Sequence, residues 1–142
     1  MIKKRVQKDG NIRGIYESSN ILASNYNLKT QALTITFNYG GQYTYNNVPM
    51  TDYTRFETDS SQGVVFNKYI KDVYETINDG KVDTKLIKEE LNQAIKNEAV
   101  EYLTSIMSDM AKIIDDVGAT DTIDLYKLDD LTARFEVYKT LL

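Results

Sequence analysis

The chain has 142 residues, 42% hydrophobic and 27% charged, enough to bury a core and without an apolar run long enough to cross a bilayer. Cysteine and histidine are both absent, which excludes disulfides, thiolate nucleophiles, the usual zinc ligand sets and imidazole acid–base chemistry. The net charge of −4 is unevenly divided: residues 1–75 hold nine Lys/Arg against seven Asp/Glu, and residues 76–142 hold eight against fourteen, so the two halves suit different partners.

The N-terminus begins with the cations of an export signal, but Gln7, Lys8, Asp9 and Gly10 stand where its apolar stretch belongs. A cytoplasmic protein of a bacterium or a phage-infected host cell is expected. Ile2 to Gln7 reads as an edge strand and Ile12 to Ala23 as a weaker strand. Leu33, Ile35 and Phe37 alternate with Ala32, Thr34 and Thr36, and Gln42 to Val48 repeats the period of two, with Gly40-Gly41 as a hairpin between them. Pro49 suits a helix start, so Met50 to Thr58 is expected to be a short helix. Ser60 or Ser61 caps a second, from about Gln62 to Ile77, with Val65, Phe66, Tyr69, Ile70 and Val73 along one stripe.

Asn78-Asp79-Gly80 breaks that helix, and from Thr84 to Val117 apolar residues fall at helical spacings with no glycine or proline between. The resulting helix is roughly 50 Å long, more than a compact domain of this size covers by itself. Gly118 supplies a stop and Thr120 or Asp121 a cap, after which Leu128, Leu131, Phe135, Tyr138 and Leu142 form the seam of a second arm. The fold class is therefore α+β: a small antiparallel sheet with two short helices over residues 1–79, then a long C-terminal helical hairpin over residues 80–142. Spare apolar surface on the longer arm predicts a homo-oligomer through residues 84–142.

With these elements placed, the stretch from Ser18 to about Tyr74 resembles a KTSC domain, a small module of bacterial and phage proteins that also ends some lysyl-tRNA synthetases. The residues that carry the resemblance are Ser19-Asn20-Ile21, Tyr26, the Leu33 to Phe37 strand, Gly40, Tyr43-Thr44-Tyr45, Val48-Pro49, Phe56, Ser61-Gln62-Gly63, Phe66-Asn67 and Ile70. What the resemblance implies about activity is limited to a suggestion of RNA binding. It does not extend to residues 80–142.

Tyr43 and Tyr45 are the first candidate site residues, because exposed aromatics on a sheet are what bases stack on. Core packing is the favoured explanation of the same residues, and the hairpin decides. A two-residue Gly40-Gly41 turn pairs Tyr39 with Gln42 and places both tyrosines on the Thr34/Thr36 face. A three-residue loop pairs Asn38 with Gln42 and places them beside Ile35 and Phe37. Arg55, the Ser61 to Gly63 turn, and Lys68 and Lys71 one turn later form a second candidate, where a guanidinium, hydroxyls, backbone N–H groups and a helix start can receive an anion; a capped helix with a solvated face accounts for the same residues. Lys3, Lys4, Arg5, Lys8 and Arg13 suit either phosphate contacts or protection of an edge strand.

Acidic pairs at Glu89/Glu90, Asp115/Asp116 and Asp129/Asp130 point about 100° apart on a helix, so none converges on a metal, and no metal or cofactor is expected. The sequence has no phosphate-cradling glycine loop and no nucleophile elbow. The expectation is a non-enzymatic binding protein whose KTSC-like module takes single-stranded nucleic acid or a nucleotide. The alternative is a small phage or prophage protein that inhibits a bacterial host factor through its acidic helical surface.

Overall fold

In the computed structural model, which describes residues 1–120 and 124–139, the chain forms two compact units, Met1–Ala94 and a second beginning at Ile95. The first holds β1 (Ile2–Lys8), β2 (Asn11–Tyr16), β3 (Ile21–Asn27), β4 (Leu33–Phe37), β5 (Gly41–Tyr45), α1 (Met50–Thr58), α2 (Gln62–Tyr69), β6 (Thr76–Lys81) and the opening turns of α3 (Lys85–Thr120). The rest of α3 and α4 (Leu125–Lys139) make up the second. The fold is α+β, as the periodicities predict. A division between residues 79 and 80 would cut β6, so the first unit continues beyond it.

All six strands pair antiparallel in the order β1-β2-β3-β4-β5-β6. Two departures from the expected elements follow from turn chemistry. The stretch Ile12 to Ala23 is not one strand: Ser18 accepts from the N–H groups of Asn20 and Ile21 and turns the chain between β2 and β3. Nor does the second helix reach Ile77. It ends at Tyr69, the backbone at Asp72 takes a φ of 59°, and Thr76–Lys81 pairs with β5, so Asn78-Asp79-Gly80 lies within an edge strand. Val73, expected on the buried stripe, is 59% exposed.

Helices α1 and α2 lend Tyr53, Phe56, Val65 and Phe66 to a core that includes Ile12, Tyr26, Leu33, Ile35 and Tyr45 from the sheet. Tyr26 and Tyr53 stack at 4.2 Å, and the Tyr26 hydroxyl donates to the Val48 carbonyl at 2.8 Å, so burial leaves its polar end satisfied. Four of the five N-terminal cations are held within the unit: Lys3 by Glu17, Arg5 by Glu57, and Lys4 and Arg13 by Glu90 of α3.

In the second unit Ile106 and Ile113 of α3 bury against Leu131 of α4, with Tyr102 and Val117 beside them. Arg134 ties the two arms together, donating to Asp109 at 2.9 Å and lying 5.5 Å over the Tyr102 ring. Helix α3 passes through Gly118 to Thr120, and the capping acceptor of α4 is Asp124, which receives the N–H groups of Tyr126 and Lys127. Asp121, Leu142 and the Tyr138 side chain lie outside the described residues. No helix among the described residues is long and apolar enough to cross a membrane.

Candidate functional site

The β4–β5 pairing sets the site. Thr36 faces Gln42, Ile35 faces Tyr43 and Leu33 faces Tyr45, so the tyrosines share a face with the apolar side chains of β4. The parity is that of the three-residue loop, but the connection is longer, with Phe37 to Gly41 between the last paired residues. Gly40 takes a φ of 92° there, and a Cβ on it would meet the Val82 carbonyl oxygen at 2.8 Å, which is why glycine stands at that corner.

Tyr45 is buried and meets Phe66 edge-on at 5.6 Å; burial pushes its phenol up to about 12. Tyr43 is only half-buried. Its ring stands edge-on to Phe37 at 5.7 Å, while Phe37 stacks at 5.6 Å on Tyr39 at the loop tip. Tyr39 is 60% exposed, and the neighbouring Tyr43 hydroxyl raises its phenol above the ordinary value. These rings form one wall of a cleft of about 430 Å³. Asn20 from the β2–β3 turn, Asn67 from α2, Lys71 and Asp72 from the segment after it and Thr76 from β6 supply its polar edges. An apolar aromatic wall with a few converging polar groups is the common form of a small-ligand site.

Of the candidate site residues read from the sequence, Tyr43, Tyr45 and Lys71 line this cleft, and Arg55, Ser61, Gly63 and Lys68 do not. Arg55 donates to Asp52 at 2.9 Å and lies 4.4 Å over the Tyr69 ring, with the Lys68 ammonium 5.0 Å from the same ring. Asp52 also accepts from the Tyr74 hydroxyl, which pushes that phenol up to about 12. At the start of α2, Ser61 gives its backbone N–H to the Asp59 carboxylate at 2.8 Å, its side chain makes no cap bond, and Gly63 borders open space. A carboxylate of the chain thus already occupies the N–H expected to receive an anion.

The sequence reading gave no site role to Asn20, Tyr39, Asn67, Asp72 or Thr76, and it set Lys71 beside Lys68 in the anion candidate rather than with the tyrosines. The turn at Asp72 and the β5–β6 pairing bring Lys71, Asp72 and Thr76 to the cleft. The β-branched Thr76-Ile77 pair beside Asn78-Asp79-Gly80 was the signal for a short strand.

The KTSC domain family model matches residues 17–74. Among curated proteins nothing matches the chain. A crystal structure of a KTSC domain protein from Yersinia pestis is similar at 30% identity, over 49% of this chain and 99% of that one, with a TM-score of 0.47. Through residues 17–74 the chain belongs to the KTSC domain family.

Proposed function

We propose that the KTSC domain of this chain is a binding module that takes a planar base, from single-stranded nucleic acid or a nucleotide, into the Tyr39–Tyr43 cleft and does no chemistry on it. The observation that carries this reading is the exposed stack of Tyr39 on Phe37, bordered by Asn20, Asn67, Lys71 and Asp72. Aromatic faces stack on any base, amide and carboxylate groups read base edges, and a single cation suits one phosphate. With four of the five N-terminal cations in internal ion pairs, a short single-stranded ligand fits better than a duplex.

Titration of the full chain with short RNA and DNA oligonucleotides and with free nucleotides, followed by tyrosine fluorescence, tests the reading, since there is no tryptophan to mask the signal. Tyr39→Ala is expected to weaken binding by about 1–3 kcal/mol with little loss of stability. Lys71→Ala is expected to reduce the salt slope by about one. Absence of binding across all three ligand classes, or affinity unchanged in Tyr39→Ala, overturns it.

A further inference from the structure

The helical unit has two unlike faces. On one, Lys112, Lys127 and Arg134 are committed to Asp109, Asp116, Asp124 and Asp130. The other is apolar. Val100, Met107 and Ile114 recur every seven residues along α3 with Met110 between them, and Met107 and Ile114 are 69% and 67% exposed. On α4, Leu128 and Phe135 join Met110 around a groove of about 250 Å³, and Leu125, one turn before Leu128, continues the stripe. An exposed apolar surface of this continuity marks an interaction site more often than a solvated face.

The charges around this face specify what covers it. Just beyond the α3 stripe stand Glu101 and Asp115, and just beyond the α4 stripe Asp129 and Glu136, all exposed. Among the described residues Glu101, Asp115 and Asp129 make no ion pair. Among residues whose side chains are described, the cation nearest the stripe is Lys96, one turn before Val100. A second copy seated here would bring acidic rim against acidic rim, which opposes association.

We propose that this face docks a basic amphipathic helix of another protein, whose apolar residues enter the groove and whose flanking Lys/Arg side chains meet the two rims. Val100 to Ile114 spans about 21 Å, so about four turns of partner helix suffice. This docking is independent of the cleft on the first unit.

The test uses the full chain and a labelled synthetic helix with a leucine stripe flanked by lysines, against the same helix with glutamates in place of the lysines. The lysine helix is expected to bind at least about tenfold more tightly. Asp115→Lys/Asp129→Lys should reverse that preference, and Met107→Asp should abolish binding of both; each replaces exposed side chains, and circular dichroism checks that helix content is kept. Equal binding of the two helices, no binding, or an unchanged preference in the rim variant overturns the proposal. So does light scattering that shows a dimer reduced to a monomer by Met107→Asp, because the occupant is then a second copy.

Discussion

Tyr43 and Tyr45 point to the same side of the sheet yet differ in what surrounds them. Tyr45 is sealed by Phe66 and the core, whereas Tyr43 shows part of its ring to the cleft. Tyr45→Ala is therefore expected to lower stability by about 3–5 kcal/mol, and Tyr43→Ala by much less while reducing base binding. Denaturant melts of the two variants check this, and equal losses contradict it. Their shared face was legible as one of two alternatives, because the alternation of Leu33, Ile35 and Phe37 fixes which side is apolar. The register was not, since Gly40-Gly41 is compatible with loops of either parity. Tyr39 was passed over because its placement depends on that loop. A buried acid gives a further expectation. Glu57 accepts from the Tyr53 hydroxyl at 2.8 Å and from Arg5 Nε at 2.9 Å, so Arg5→Ala leaves a buried carboxylate without its cation and should cost about 1–3 kcal/mol by the same melts.

Elements with a strong local signal were legible, and those made by distant pairing were not. Pro49 and the apolar spacing of Tyr53 and Phe56 define α1 without help from the rest of the chain. The β1–β2 hairpin had a signal that was not used: Asp9 and Gly10 both take positive φ, the conformation for which Asp-Gly is favoured in a two-residue turn. Strand β6, exposed along its length and mostly polar, forms because β5 offers it an edge, and its only local signal was the short Thr76-Ile77 pair. The start of α3 is tied to the sheet by charge. Glu90 takes both Nη groups of Arg13, at 2.9 and 3.1 Å, and the Lys4 ammonium at 3.0 Å, and these cations hold its carboxyl at about 2, below the ordinary 4.5. A depressed carboxyl contributes fully above its ordinary value and loses that contribution as pH falls towards about 2. Its partial exposure limits the effect to about 1 kcal/mol. Thermal melts of the parent and Glu90→Gln should accordingly differ at neutral pH and converge on acidification. A difference that persists at about pH 2 would show that the clamp is not ionic.

Among the described residues the two units carry buried clusters of very different size. The sheet unit buries aromatic and aliphatic side chains from β2 to β5 and from both short helices, while the helical unit rests on Ile106, Ile113 and Leu131 with two partly buried neighbours. Among the described residues this cluster holds three buried side chains, and a cluster of that size offsets little chain entropy. The helical unit is therefore expected to be the first to unfold and the more responsive to whatever covers its apolar face. Ile106→Asp tests this by placing a carboxylate where the side chain is 2% exposed, inside an apolar cluster. Such a charge should cost more than the helical unit can supply, so far-ultraviolet circular dichroism should lose much of its helical signal. Amide protons of β2 to β5 should keep their exchange protection, because none of the residues in their core belongs to the affected cluster. Loss of that protection together with the helical signal would show that α3, which begins in one unit and ends in the other, couples the two into a single cooperative fold.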